Sequence, residues 1–189
     1  MGKDQRLIIV GGPNGSGKTT FALQYAKEHG IEYLGADGIV NELKKDKVRN
    51  IELQAGKIFF KRLENYLEES KSVIIESTLS GIGLLNKIRI FKENGFSVSI
   101  IFVFLDTVEL CKKRIRIRVK KGGHNVLDKD IERRFTRSIH NFWYKYRYVA
   151  DSWQIIYNGK DRPIEVAFDE GDNYLIIDNE YFNRFKENV

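Results

Sequence analysis

The sequence predicts an α/β fold in which five parallel strands form a central sheet with helices on both faces. Apolar runs of strand length alternate along the chain with stretches in which apolar residues recur at helical spacing. The run Leu7, Ile8, Ile9 and Val10 opens this series, and a glycine-rich loop connects it directly to the first helix. A helical lid and a small C-terminal β-hairpin complete the predicted architecture.

The glycine-rich loop has the pattern G-x-x-x-x-G-K-[ST] of a phosphate-binding loop, or P-loop. Its glycines allow several backbone N–H groups to point at one anion, and the following helix adds the positive end of its dipole. We expect Lys18 to reach the β- and γ-phosphates of a nucleoside triphosphate and Thr19 to bind Mg²⁺. The predicted nucleotide-binding residues are Gly12, Pro13, Asn14, Gly15, Ser16, Gly17, Lys18, Thr19 and Thr20.

The first half of the chain alternates strands and helices as a parallel sheet requires. The predicted strands are 6–11, 32–35, 72–75 and 96–105, and the predicted helices are 17–29, 49–70 and 82–93. The strand 96–105 is the most hydrophobic and suits the centre of the sheet, because central parallel strands are buried on both faces.

The second half begins with an ambiguous stretch at 108–121, where apolar residues fit both strand and helix spacing. We predict a helix, because two parallel strands need a crossover between them. A second helix follows at 128–149, with Ile131, Phe135, Ile139, Phe142, Trp143 and Tyr146 on its buried side. A strand at 153–157 leads to Asn158-Gly159, which is typical of a tight hairpin turn, and to further strands near 164–168 and 174–177 and a helix at 179–188.

Length and composition narrow the function classes. The 189 residues predict one domain, and a single cysteine excludes a disulfide framework and favours a reducing, cytoplasmic environment. No apolar run is long enough to span a bilayer, and no N-terminal signal pattern is present, so we expect no membrane partner.

The net charge of +6 is concentrated in one segment. Between Cys111 and Arg137 there are eleven Lys and Arg residues but only three acids. Arg114, Arg118 and Lys121 share one flank of the predicted helix, where like charges repel unless anions neutralise them. We interpret 114–137 as a lid that closes over phosphates; the alternative is a solvated basic surface.

The second helix of this lid carries Arg133, Arg134 and Arg137. Arg133 and Arg137 point away from its apolar face, whereas Arg134 lies on the border of that face.

Two acidic residues follow strands that end at the edge of the sheet where ligands of α/β proteins bind. Asp37 suits a general base for a substrate hydroxyl, or else the N-cap of a helix that begins at Gly38. Glu76 suits a Mg²⁺ or substrate ligand, or else the cap of the helix that begins near Gly81. The hydroxyls of Thr78 and Ser80, together with Arg114, complete the predicted substrate-binding set.

Taken together, these motifs resemble those of the zeta-toxin-like family of small P-loop kinases. The resemblance covers residue 6 to about 160 and rests on GPNGSGKTTFA, ADGIV, ESTLSG, RIRIRVKKGGHNV and IERRFTRS. It implies a fold like that of nucleotide and shikimate-type kinases. It also implies transfer of the γ-phosphate of ATP or GTP to a hydroxyl of a small molecule, as the toxins do to the 3′-hydroxyl of UDP-N-acetylglucosamine.

The same resemblance assigns roles by position. Lys18 and Thr19 match the P-loop residues, Asp37 the base, Glu76 the acid after the third strand, and Arg118 and Arg134 the paired lid arginines. It also raises an antitoxin protein as a partner.

Two other functions remain open from the sequence. A kinase that acts on nucleic-acid ends fits the basic lid and the aromatic and basic stretch 142–148, although helical spacing assigns most of its aromatics to the core. An ATPase of unknown coupling fits Leu79-Ser80-Gly81-Ile82-Gly83 followed by an acidic strand end at Asp106; Thr107 stands where such ATPases carry a catalytic glutamate.

Overall fold

The computed structural model describes residues 5–45, 50–171 and 173–189 of the chain. Its strands are β1 (Arg6–Gly11), β2 (Glu32–Leu34), β3 (Val73–Ser77), β4 (Ser97–Phe104), β5 (Ser152–Tyr157), β6 (Ile164–Glu170) and β7 (Asn173–Ile176). Its helices are α1 (Lys18–His29), α2 (Ala36–Lys45), α3 (Ile51–Glu68), α4 (Gly83–Glu93), α5 (Val108–Lys120), α6 (Asp128–Tyr144) and α7 (Asn179–Lys186). The predicted helix start at Arg49 lies outside the described residues.

The strands form one sheet in the order β2-β3-β1-β4-β5-β6-β7. The first five are parallel, as predicted, while β6 and β7 add to the same sheet in antiparallel orientation. The predicted C-terminal hairpin is therefore a continuation of the central sheet, which has seven strands rather than five. A six-residue loop at 158–163 joins β5 to β6, and β7 follows β6 as the next element of the chain. Neither connection includes a helical crossover, so each reverses the strand direction.

Apolar side chains of alternating strand residues form two clusters, one on each face of the sheet. Helix α1 contributes Ala22 and Ala26 to the smaller cluster, whereas helices α2 to α7 contribute to the larger one. Helices were expected on both faces, and the structure distributes them unequally. Ile8, Ile74 and Ile101 from three neighbouring strands fill the smaller cluster against α1.

The ambiguous stretch at 108–121 is helical, as predicted, and places Cys111 and Ile115 in the core. The helix after it is shorter than expected. It ends at Tyr144, and a 3₁₀ turn at Tyr146–Tyr148 follows. The six residues predicted for its buried side are all buried, so the helical periodicity identified the packing face although it misplaced the end.

Asn158-Gly159 does not form the expected tight turn, because Tyr157 pairs with Ile164 and leaves a loop at 158–163. A type I′ turn requires positive φ angles, and neither Asn158 nor Gly159, both among the described residues, has one.

Candidate active site

The P-loop connects the end of β1 to α1 and presents the N-terminus of that helix. Gly17, directly before α1, has φ 95°, and no side chain caps the helix there. The first N–H groups of the helix therefore remain available to an anion. Gly15 has φ 83°, and a Cβ atom there would lie 2.7 Å from the carbonyl oxygen of Cys111, so both the backbone angle and the packing require glycine.

Lys18 is almost fully buried at the base of this loop. Its Nζ donates a hydrogen bond to the carbonyl oxygen of Pro13 at 2.8 Å. Burial lowers the pKa of Lys18 to about 8, and the nearby Glu76 carboxylate only partly offsets that effect. The ammonium group therefore lies in a site that favours an anionic ligand.

Thr19 and Glu76 meet although 57 residues separate them in the chain. The Thr19 hydroxyl donates to Glu76 Oε2 at 2.7 Å, because β1 and β3 are neighbours and Val10 pairs with Glu76 in register. The alternative role of Glu76 as a helix cap is wrong, since Ile82 precedes α4 and that helix has no side-chain cap. A hydroxyl and a carboxylate oxygen are ligands that Mg²⁺ accepts, so these two residues fit a magnesium site.

Asp37 lies in the first turn of α2, directly after β2. The helix begins at Ala36, one residue before Asp37, so the prediction of Asp37 as the N-cap of a helix starting at Gly38 is wrong. Asp37 and Glu76 both face one cavity, which places two carboxylates at the carboxyl edge of the parallel strands.

That cavity has a volume of about 470 Å³ and brings most of the predicted site together. Of the predicted site residues, the following line it: Asn14, Gly15, Gly17, Lys18, Thr19, Thr20, Asp37, Glu76, Thr78, Arg114, Arg118 and Arg134. Gly12, Pro13 and Ser16 do not line it; they shape the loop from behind, and Ser16 is fully buried. Ser80 does not line it either, and its Oγ lies 2.8 Å from Thr78 Oγ1.

Three arginines from the predicted lid reach the cavity. Arg114 and Arg118 come from α5 and Arg134 from α6. Arg118 also donates to the carbonyl oxygen of His124 at 2.7 Å, which ties the helix to the Gly122-Gly123 segment that follows it. The neighbouring Arg133 instead pairs with Asp130 at 2.7 Å on the surface. Helix α6 therefore presents Arg134, and not Arg133, to the cavity.

The lining of the cavity also includes Ala36, Gly56 and Phe59, which sequence reasoning did not assign to the site. Phe59 belongs to the larger core cluster, and helical periodicity does not separate a core position from one that also borders a cavity. A glycine inside an 18-residue helix was the available signal, because glycine disfavours a helix interior.

The loop after β3 is fixed by α6 and by the 3₁₀ turn. Asn141 donates to the carbonyl oxygen of Leu79 at 3.0 Å, and the Tyr146 hydroxyl donates to that of Gly81 at 2.7 Å. Leu79 has φ 53° and is buried. The Leu79 side chain therefore belongs to the core, whereas Ser80 is half-buried and Gly81 is exposed.

Asp106 is engaged elsewhere. Arg184 of α7 pairs with its carboxylate at 2.9 Å, and Asn188 donates to its carbonyl oxygen at 3.1 Å. Thr107, at the expected glutamate position, accepts a hydrogen bond from the backbone N–H of Leu110 and caps α5. Asp106 and Thr107 therefore both have structural partners within the protein.

The aromatic and basic stretch at 142–148 divides as its spacing predicts. Phe142, Trp143 and Tyr146 are buried, while Tyr144 and Tyr148 are exposed. Arg147 stacks over the Trp143 ring at 3.7 Å from its centroid.

Among the helices that the structure describes, none is both long and apolar enough to cross a membrane.

The model of the AAA domain family AAA_33 matches residues 7–138, which is well over half of the chain. The chain belongs to the AAA_33 family. The matched region of this AAA_33 chain contains the P-loop, Asp37, Glu76 and the three cavity arginines.

Two relatives are similar to this chain in sequence. An uncharacterized protein of Haemophilus influenzae is 28% identical over 131 residues, which are 69% of this chain and 92% of the relative. A shikimate kinase of Actinobacillus succinogenes is 31% identical over 107 residues, 55% of this chain and 59% of the kinase. Both matches cover more than half of this chain.

Two solved structures share the fold. One is the AvrRxo1-ORF1:-ORF2 crystal structure with ATP, which is similar with a TM-score of 0.76 and 18% identity over 97% of this chain and 64% of the matched chain. The other is the PezAT chromosomal toxin–antitoxin system of Streptococcus pneumoniae, which is similar with a TM-score of 0.66 and 18% identity. The match covers 99% of this chain and 86% of the matched chain. The AAA_33 chain spans less than two thirds of the AvrRxo1 chain and of the shikimate kinase.

Proposed function

We propose that the protein is a zeta-toxin-like phosphotransferase that moves the γ-phosphate of ATP or GTP to a hydroxyl group of a small molecule. The observation that carries this proposal is the shared cavity, in which the P-loop, the Asp37 carboxylate and three arginines face the same space. Phosphoryl transfer requires a held triphosphate, an oriented acceptor and positive charge around the transferred group. Each of these requirements has a group in the cavity.

In this proposal the acceptor oxygen bonds to the γ-phosphorus while the bond from that phosphorus to the β,γ-bridging oxygen breaks. The proton of the acceptor hydroxyl passes to the Asp37 carboxylate, and the nucleoside diphosphate leaves. Lys18 and the N–H groups at the start of α1 hold the β- and γ-phosphates. Arg118 and Arg134 stabilise the charge that develops on the transferred group, and Arg114 binds the substrate.

Thr19 and Glu76 are the residues that would hold Mg²⁺, and their oxygen atoms already lie within hydrogen-bonding distance of each other. When bound, the ion would neutralise charge on the phosphates. Thr78, next to Glu76 in the cavity, offers a hydroxyl for the acceptor, and Ser80 supports it through the contact between their oxygens.

We also infer that 114–137 acts as a lid within one domain of 189 residues. Its two helices carry the cavity arginines, and Gly122-Gly123 lies between them. A glycine pair permits the backbone rotations that closure requires. Closure would exclude water, so that the phosphate passes to the acceptor and not to hydrolysis.

Among acceptors we propose a nucleotide-linked sugar such as UDP-N-acetylglucosamine. The motifs that resemble zeta toxins support this choice, as does the shared fold with the PezAT toxin–antitoxin system. The same fold relation supports an antitoxin protein as a partner, and the AvrRxo1 complex with ATP supports adenine nucleotide as the phosphate donor. Nucleic-acid ends remain the competing acceptor.

The test is incubation with γ-labelled ATP and Mg²⁺ against a panel of UDP-sugars, small hydroxylated metabolites and RNA ends. We expect label on a small molecule, with an acceptor affinity that depends much less on salt than the binding of a nucleic acid does. Label on RNA ends, with binding that weakens steeply with salt, would favour the nucleic-acid kinase.

Three variants test the residues. Lys18→Ala should abolish transfer. Asp37→Asn should lower turnover about a hundredfold or more while nucleotide binding is retained, because general-base catalysis contributes about 10²–10⁴-fold. Glu93→Gln, which neutralises an exposed carboxylate at the end of α4, serves as the control. Unchanged turnover in the Asp37 variant would remove that residue from the base role.

A further inference from the structure

Asn158 contacts the P-loop from a distant part of the chain. It follows β5 directly, and its backbone N–H donates to the carbonyl oxygen of Phe104 at 3.0 Å, which continues the pairing of β5 with β4. Its side-chain Nδ2 donates to the carbonyl oxygen of Ser16 at 2.7 Å across 142 residues of sequence. Asn158 is thus anchored at its backbone and free to use its amide for the loop.

The contact depends on glycine at the next position of the loop. A Cβ atom on Gly17 would collide with Asn158 Nδ2. The left-handed conformation of Gly17 favours glycine, and a side chain there would in addition displace the Asn158 amide from Ser16.

The hydrogen bond to Ser16 fixes the peptide plane between Ser16 and Gly17. In a trans peptide the C=O and N–H groups point in opposite directions. A carbonyl oxygen held by Asn158 therefore sets the direction of the Gly17 N–H, which is a donor of the loop that lines the cavity.

The loop is fixed at a second carbonyl, that of Pro13, which accepts from Lys18. That bond comes from a residue that must also serve the phosphates. The bond from Asn158 comes from outside the loop and does not depend on the ligand.

From these contacts we infer that Asn158 is a positioning residue, which holds the P-loop in its phosphate-binding conformation before nucleotide arrives. The inference rests on the proposed function, because it assumes that the loop binds a triphosphate. It also gives Asn158 a role in place of the tight turn that the Asn-Gly pair suggested, which the loop at 158–163 does not contain.

If the P-loop also samples conformations that cannot bind phosphate, the observed affinity for the nucleotide is the intrinsic affinity multiplied by the fraction of molecules in the binding conformation. A hydrogen bond of ordinary strength corresponds to a shift of about three- to tenfold in such an equilibrium. We therefore expect Asn158→Ala and Asn158→Leu to weaken binding of the phosphate chain by about that factor. The leucine variant keeps a branched side chain that fills the space of the amide and removes its hydrogen-bonding groups.

The experiment measures affinities for two probes, ATP and inorganic tripolyphosphate, both with Mg²⁺, by calorimetry. Tripolyphosphate has no base or sugar. If Asn158 positions the P-loop, its substitution should therefore reduce the affinity for both probes by the same factor. The matched control is Asn94→Ala, which removes an equivalent bond from an asparagine amide to a backbone carbonyl, that of Ile90 at 2.9 Å, at the end of α4. It should leave both affinities unchanged.

Several results would overturn the assignment. Weaker ATP binding with unchanged tripolyphosphate binding would make Asn158 a base or sugar contact. A lower urea midpoint with both affinities unchanged, or two variants that fail to fold, would make it a structural residue only. A wild-type protein that binds neither probe would instead refute the proposed function itself.

Discussion

The hydroxyl of Thr19 lies 2.7 Å from Glu76 Oε2 and joins the first turn of α1 to the end of β3. Each residue belongs to a separate sequence motif, and only the parallel pairing of β1 with β3 brings them together. The contact places a carboxylate beside the P-loop, in a position that suits a cation bound to the triphosphate.

The first prediction concerns this pair. Glu76→Gln should raise the Mg²⁺ concentration needed for half-maximal transfer by about tenfold or more, because an amide binds a hard cation less well than a carboxylate and lost metal contacts typically reduce affinity by about 10–100-fold. A Mg²⁺ titration at fixed ATP measures this. Glu109→Gln, at an exposed position in the first turn of α5, is the control. Equal Mg²⁺ requirements in both variants would contradict the role of Glu76.

The second prediction follows from the pKa of Lys18, which burial lowers to about 8 in the free protein. Phosphate groups favour the charged ammonium, so above this pKa binding must take up a proton. Nucleotide affinity should therefore be nearly flat below about pH 8 and fall by up to about tenfold per pH unit above it. Calorimetry in buffers of different ionisation enthalpy measures the proton uptake. Lys18→Met should bind weakly and lose this pH dependence; a variant with the same slope would assign the titration to another group.

The third prediction separates two adjacent arginines. Arg134→Ala should lower the rate of phosphoryl transfer by about a hundredfold or more, because it removes positive charge next to the transferred group. Arg133→Ala should change the rate less than about twofold, since Arg133 forms only a surface ion pair with Asp130. Single-turnover kinetics of the two variants measure the difference. The reverse order of effects would mean that α6 turns when the lid closes.

The fourth prediction concerns Gly56 in the wall of the cavity. No atom lies within 4 Å of a Cβ built on this residue, so nothing in the protein itself requires glycine there. Gly56→Ala should raise the free energy of unfolding by up to about 1 kcal/mol, because alanine favours a helix interior. The methyl group should also lower transfer at subsaturating acceptor, since it enters the cavity. Urea denaturation and the transfer assay measure the two effects.

A control for Gly56 is available in α4. Gly83 is equally open but lies outside the cavity, so Gly83→Ala should leave transfer unchanged. If Gly56→Ala stabilises the protein and transfers phosphate at the normal rate, the acceptor does not use this wall.

The fifth prediction concerns the loop after β3. Asn141→Ala should destabilise the protein by about 1–3 kcal/mol, because the buried Leu79 segment loses the partner of its carbonyl group. Tyr146→Phe removes a similar bond to Gly81, but Gly81 is exposed and water can replace the hydroxyl. Thermal unfolding should therefore show the larger loss for Asn141→Ala. Equal losses would mean that the burial of Leu79 does not matter.

Most of the parallel sheet was predictable because strand and helix periodicities are local properties of the chain. The P-loop was predictable for the same reason, since its glycines and its lysine are consecutive. The extension by β6 and β7 was not, because pairing with β5 depends on which sheet edge remains free. The end of α6 was misplaced because apolar spacing continues into the 3₁₀ turn at Tyr146–Tyr148.

For single side chains, the sequence predicted the position in the fold but not the role. The sequence placed Asp37 and Glu76 at one edge of the sheet but left each of them with a capping alternative. The start of α4 after Ile82, without a side-chain cap, and the start of α2 at Ala36 decided against the caps. Asn158 carried a turn signal that the structure uses for another purpose, a hydrogen bond to the P-loop.

The sequence by itself determined the P-loop, the order of strands and helices along the chain and the apolar face with which each helix packs. Those properties depend on residues that are near one another in the chain. Only the tertiary structure decided that Thr19 meets Glu76, that Arg134 and not Arg133 faces the cavity, and that Asn158 reaches Ser16. Such contacts depend on strand register and on the rotation of each helix about its axis, which are set by packing among residues far apart in sequence.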